Sequence, residues 1–189
     1  IEHPLSSSEM SPRTHLLLRG RPRLRPDRNF FYHRKIKTGS ICSQNNVKGK
    51  NMSDYSGKCA VITGAGSGIG RALAQQLNRG GCELYLSDIN EDSLKQTVKG
   101  LERQDLSCYQ QRLDVADRAA VHAWADSIES QRGSVDIVIN NAGVGLGDRV
   151  DEMSYENLDW LMGVNFWGVI QGSMAFLPLL KKSSQGHLV

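Results

Sequence analysis

From residue 58 onward, short apolar runs alternate with longer segments whose apolar positions recur at helical spacing. The first run, Lys58–Thr63, has the continuous apolar character of a strand buried on both faces. Behind it Ile69, Leu73 and Leu77 fall at four-residue steps, one stripe of a helix that Gly80-Gly81 stops. Glu83–Ser87 predicts a second strand, and Asn90 opens a second helix that repeats Leu94, Val98 and Leu101. A third strand is expected over about Ser107–Leu113. The helix after it begins at Asp117, lines up Ala120, Trp124 and Ile128, and ends by Gly133. Val135–Ile139 predicts a fourth strand rich in β-branched residues. A fourth helix is expected over about Ser154–Lys182, with a bend near Asn165, and His187-Leu188-Val189 reads as the opening of a fifth strand. Regular strand–helix alternation implies an α/β fold, a doubly wound parallel sheet covered on both faces. Right-handed crossovers then give the strand order 3-2-1-4, with the fifth strand still to be added.

The turn between the first strand and the first helix carries candidate chemistry. It reads Thr63-Gly64-Ala65-Gly66-Ser67-Gly68-Ile69-Gly70. Glycines at 64, 68 and 70 allow a sharp turn, close approach of backbone N–H groups to a diphosphate, and close helix–strand packing. Backbone from Ser67 and Ile69 completes the expected anion site at the helix N-terminus. Asp88 lies 18 residues beyond Gly70, at the end of the next apolar run, where a ribose-binding carboxylate sits in a Rossmann-type dinucleotide fold. A carboxylate there accepts from both ribose hydroxyls and repels a 2′-phosphate, which predicts NAD(H) over NADP(H). Arg71, beside the loop, is the opposing influence, since a cation close by would soften that repulsion.

The spacing T-G-x-x-x-G-x-G differs from the commoner G-x-G-x-x-G and resembles the loop of the short-chain dehydrogenase/reductase family. Asn140-Asn141-Ala142-Gly143 is similar to that family's N-N-A-G after strand four, and Val164-Asn165 to its helix-borne asparagine. The resemblance covers about residues 52–189. It implies that Asp114 accepts from the adenine amino group and Val115 adds a backbone contact. It further implies that Asn141, Ala142 and Gly143 line the cofactor cleft, and that the Asn165 carbonyl orders a proton-relaying water. The implied activity is hydride transfer between a nicotinamide cofactor and an alcohol or ketone. The implied assembly is a homo-oligomer through the fourth helix, with Trp167 and Phe176 as candidates for either interface or core.

The family's chemistry also needs a serine after strand five and a Tyr-x-x-x-Lys, whose spacing sets the ammonium beside the phenol on one helix face. Four residues after Tyr32, Tyr55, Tyr85, Tyr109 and Tyr155 stand Ile36, Cys59, Ile89, Leu113 and Asp159, none of them lysine. Asn165 is thus the member of the catalytic set that this sequence contains, and the chain is expected to stop short of the others. A non-catalytic nucleotide-binding fragment or splice product is the alternative. That reading expects strand four to form an open apolar edge.

Charge divides the chain. Residues 1–51 hold 11 Lys/Arg against 3 Asp/Glu and four of the five prolines, whereas residues 52–189 hold 12 against 17. Three readings of the basic segment stand open: sequence upstream of a start at Met52, an organellar presequence giving a mitochondrial location, or a nucleic-acid-binding arm. The first of these is favoured, with no specific nucleic-acid role and a cytoplasmic location. Cys42, Cys59, Cys82 and Cys108 form no C-x-x-C pair and no metal-ligand spacing, as suits reduced, partly buried thiols. Neither His122 nor His187 has a partner pattern suggesting a ligand or a base. Trp160–Leu180 is a charge-free run of 21 residues, but Asn165, Gln171, Ser173, three glycines and Pro178 interrupt it. A core helix is expected there in place of a membrane span.

Overall fold

The computed structural model describes residues 54–147 and 149–189. The basic segment, Met52 and Cys42 lie outside them.

Five strands form one parallel sheet in the order β3-β2-β1-β4-β5. Their ranges are β1 Cys59–Thr63, β2 Glu83–Asp88, β3 Cys108–Arg112, β4 Ile137–Ile139 and β5 His187–Leu188. The helices are α1 Gly68–Arg79, α2 Glu91–Lys99, α3 Arg118–Arg132, α4 Tyr155–Met162 and α5 Gly168–Lys181. The expected order holds, and β5 adds beside β4. That pairing corrects the expected open edge on β4, because His187 and Leu188 sit in register with Ile137 and Val138.

The pleat of β1 divides the core. Cys59 and Val61 face a cluster with Tyr85, Val138, Trp124 and Phe176, while Ala60 and Ile62 face one with Leu84, Leu86, Ala74 and Leu94. β1 is fully buried because it has a strand on each side and helices on both faces. β3, the other edge, turns Gln110, Gln111 and Arg112 to solvent, which blunts it against further pairing. Its Tyr109 stacks on Tyr85 with ring centroids 4.7 Å apart.

Caps fall where the sequence puts them. Asn90, Asp117 and Ser154 accept from Ser93, Ala120 and Asn157 N–H groups respectively. Gly133 ends α3 with φ +83. The fourth helical stretch has an internal change of winding. Gly163–Trp167 is a π turn between α4 and α5, centred on Asn165, and such turns concentrate at functional sites.

Tyr155–Lys181 is long and apolar enough to cross a membrane by length and composition, with mean hydropathy 1.2 over its best window. In this fold its inner face is core. Phe176 is wholly buried and meets Trp124 edge-on at 5.3 Å, so Phe176 is a core residue, whereas Trp167 is about half exposed.

Burial pushes the Cys59 and Cys82 thiols up to about 12 and Cys108 to about 11, which keeps them protonated and poorly nucleophilic at neutral pH.

Asp136, just before β4, fastens the amino edge of the sheet. Its carboxylate accepts from the Cys59 amide at 2.9 Å, the Ser183 hydroxyl at 2.6 Å and Lys58 Nζ at 3.5 Å. Burial acts to raise this group, but those three donors outweigh it and hold the carboxyl below its usual 3.8. A depressed carboxylate contributes stability above its unfolded pKa, and that contribution is lost as pH falls through the folded value. Asp136→Asn should therefore lower stability at pH 7 by about 1–2 kcal/mol. The gap to the unaltered chain should narrow as pH falls below the usual carboxylate range and through the depressed folded value, where urea unfolding would read it. A gap independent of pH would sink the assignment.

Candidate functional site

At the carboxyl ends of the strands the chain leaves β1 toward β2 and the adjacent β4 toward β5, in opposite directions, the place where open α/β sheets bind ligands. A crevice of about 450 Å³ opens there, ample for part of a dinucleotide.

The floor is the glycine turn. Gly64 adopts φ +66 and Gly68 φ +51, left-handed values that favour glycine. Gly64, Ser67, Gly68 and Ile69 line the crevice, and the first-turn N–H groups of the twelve-residue α1 open toward it. A Cβ on Gly68 would meet nothing within 4 Å, which leaves room for a ligand's phosphate against the backbone. Gly70 stands behind the turn and lines no part of the crevice. Its Cα comes so close to the preceding loop that a Cβ would lie 2.2 Å from the Gly64 carbonyl oxygen.

Asp88 lines the crevice at the end of β2. Its Oδ2 accepts from the Gly66 amide at 2.8 Å and its Oδ1 from the Asn90 amide at 2.9 Å, so the carboxylate is held to the glycine turn and to the cap of α2. Gly66 has no side chain to obstruct this, since a Cβ would stand 2.7 Å from Asp88 Oδ2. Arg71 is committed inward. It donates to the Gly66 carbonyl, to the Ser93 carbonyl at 3.3 Å, and through Nε to Thr97 Oγ1 at 2.9 Å. The guanidinium braces the loop through these bonds.

Beyond β3, Leu113, Asp114 and Val115 form the next wall. Asp114 Oδ1 accepts from the Ala116 amide at 2.9 Å in a tight turn, and Val115 is buried.

The turn after β4 is stapled to the turn after β1. Thr63 Oγ1 accepts from the amides of Asn141 and Ala142, both at 3.0 Å. Asn141 Nδ2 donates back to the Thr63 and Gly64 carbonyls at 3.0 and 3.1 Å. Asn141, Ala142 and Gly143 line the crevice, while Thr63 lies behind it, buried. Asn165 also stands outside the lining. Its amide side chain makes a two-point bond to Val144, accepting from N–H and donating to C=O, each at 2.8 Å. The π turn thus presents Asn165 to the loop that follows β4 and holds that loop in place.

Sequence reading placed Gly66 and Val164 only within their motifs and gave no site role to Ile89, Leu113, Val144 or Trp160, which also line the crevice. Trp160 and Ile89 are large apolar side chains that stay about half exposed on the rim. Gly66 had a signal in its position opposite Asp88, but only the fold reveals how near the two come. Among the described residues no group of three His, Cys, Asp or Glu side chains could hold a metal ion.

A glycine turn on a helix N-terminus, an acid ending the second strand and a crevice at the sheet's reversal point define a dinucleotide-binding α/β domain. The chain belongs to the short-chain dehydrogenase family, whose family model matches residues 58–189. It is 45% identical over 138 residues to SadH of Mycobacterium tuberculosis, across 73% of this chain and 50% of that protein. A short-chain dehydrogenase/reductase from Burkholderia phymatum, solved in complex with NAD, is 40% identical with a TM-score of 0.67 and covers 71% of this chain and 48% of its own. An alcohol dehydrogenase from Thermococcus sibiricus, solved with 5-hydroxy-NADP, is 34% identical with a TM-score of 0.65, covering 69% and 57% respectively. The chain therefore spans about half the length of the curated relatives it matches.

Proposed function

We propose that this chain is the cofactor-binding part of a nicotinamide-dependent oxidoreductase that moves a hydride between the cofactor and an alcohol or ketone. Relatives solved with NAD and with 5-hydroxy-NADP support the cofactor class. When bound, the nicotinamide supplies the hydride chemistry, and the protein supplies binding, orientation and electrostatics. On this reading α1 and the backbone around Ser67, Gly68 and Ile69 hold the diphosphate, and Asp114 and Val115 hold the adenine. The turn at Asn141, Ala142 and Gly143 borders the cofactor, and Asn165 fixes that turn through Val144.

The observation that carries the NAD preference is the fixed carboxylate of Asp88, whose two oxygens are anchored by the Gly66 and Asn90 amides at the crevice wall. A 2′-phosphate brought there meets a negative charge that cannot swing away. Asp88→Ala should weaken NADH binding and strengthen NADPH binding, shifting the affinity ratio by about ten- to a hundredfold. Fluorescence titration with both reduced cofactors reads the shift, and an unchanged ratio defeats the assignment.

A nucleotide-binding role is the second reading, because the residues that line the crevice are those assigned to the cofactor. Hydride exchange between NADH and a panel of ketones, set against NADH binding by the same chain, separates the two. Self-association belongs to the same proposal, supported by the exposed apolar residues Met162, Phe166, Trp167 and Met174 along α4–α5.

A further inference from the structure

We infer that Arg71 is a positioning residue that sets ribose selectivity through Thr97 and the Ala65–Gly66 peptide, without touching the cofactor. The inference rests on the NAD reading of Asp88 given above. Gly66 stands between an acid and a base: its N–H donates to Asp88 Oδ2 at 2.8 Å, and its carbonyl accepts from Arg71. The peptide plane that carries this N–H is the one between Ala65 and Gly66, and Ala65 is tied on both sides. Ala65 N–H donates to the Ser87 carbonyl at 2.9 Å, and the Ala65 carbonyl accepts from Thr97 Oγ1 at 2.9 Å.

Thr97 is wholly buried and is also the acceptor for Arg71 Nε at 2.9 Å. One planar guanidinium therefore spans the glycine turn and α2, with Nε on Thr97 and Nη2 on the Gly66 and Ser93 carbonyls. Lysine cannot reproduce this fork with a single ammonium. The chain offers no slack nearby, because the Gly66 Cα packs directly under the carboxylate. Where the Ala65–Gly66 peptide plane points thus decides where the Asp88 carboxylate stops, and Thr97, oriented by Arg71 Nε, holds that plane.

Without the guanidinium, the Gly66 carbonyl loses a charge-assisted donor and Thr97 Oγ1 loses the Nε–H that orients it; the hydroxyl then turns from the Ala65 carbonyl to that of Ser93, and the Ala65–Gly66 peptide is free to rotate. Its N–H then leaves Asp88, whose charge can turn away from the 2′ position. NADH loses a well-placed acceptor, and NADPH loses part of the repulsion that excluded it.

The test uses Arg71→Met, Arg71→Lys and Thr97→Val in the full chain, titrated with NADH and with NADPH and melted in parallel. Arg71→Met should lower NADH affinity and narrow the NADH-to-NADPH ratio, each by about tenfold. Arg71→Lys should recover part of the ratio, and Thr97→Val should shift it in the same direction as Arg71→Met. Equal losses for both cofactors would make Arg71 a loop brace only and overturn the inference. So would a selective loss of NADPH, which would mean that the guanidinium holds the 2′-phosphate directly. If Arg71→Met does not fold, Thr97→Val decides, and an unaltered ratio there overturns the inference. No binding of either cofactor to the unaltered chain would remove the cofactor reading and this inference together, whereas an unshifted ratio in variants that still bind removes only this one.

Discussion

Gly70→Ala is expected to cost this domain its nucleotide site and a large share of its stability. The added methyl would lie 2.2 Å from the Gly64 carbonyl oxygen, 2.5 Å from Asn141 Nδ2 and 2.9 Å from the Gly64 carbonyl carbon. None of these is the free end of a flexible side chain, since Asn141 Nδ2 is itself bonded to the Thr63 and Gly64 carbonyls. Relief requires moving α1 away from β1 or breaking the staple between the two turns. Overpacking of this kind together with a lost hydrogen bond costs about 2–4 kcal/mol, a substantial part of the 5–15 kcal/mol typical of a domain. Moving α1 also misaligns its N-terminal amides with the crevice. The urea midpoint should therefore fall together with ADP and NADH affinity. A variant with unchanged midpoint and affinity would show that the loop yields freely.

Thr63→Val is the second large effect, and it isolates chemistry from shape. Valine closely matches threonine in shape but has no acceptor for the Asn141 and Ala142 amides, which both reach Oγ1 at 3.0 Å. Two N–H groups beside a buried strand end are then left to a methyl group, at a combined cost of about 2–4 kcal/mol. The two do not suffer equally. Asn141 N–H also reaches the Ile139 carbonyl at 3.0 Å, so amide exchange should accelerate more at Ala142 than at Asn141. Thr63→Ser keeps the oxygen and should restore most of the loss in a denaturant titration. Equal stability of the valine and serine variants would mean that the hydroxyl does not hold the β4 turn.

Much of the architecture was legible because it follows from local periodicity. Ile69, Leu73 and Leu77 mark one face of α1, and the β-branched run before Asn140 marks a strand buried on both sides. The order β3-β2-β1-β4 follows from right-handed crossovers in a sheet covered on both faces, with the reversal placed as in a dinucleotide fold. Strand ends were less legible. Val135 is wholly buried, yet it lies outside β4, which begins at Ile137; burial writes the same apolar signature on residues that join no ladder. The break at Asn165 was visible as a polar residue in an apolar helix, but its π winding was not, because an extra residue per turn leaves no periodic trace over five residues.

The same boundary runs through the site. The glycine turn, the acid 18 residues beyond it and the Asn-Asn-Ala-Gly segment can be read directly from residue types, because backbone conformation and charge at these positions depend on residue type. What each group faces depends on the packed fold. It turned Arg71 inward to Gly66 and Thr97, made Thr63 and Asn141 a staple between two turns, and bonded Asn165 to Val144. These partners lie up to 78 residues apart in the chain, and a hydrogen bond's direction is fixed by packing in space, which no local pattern encodes.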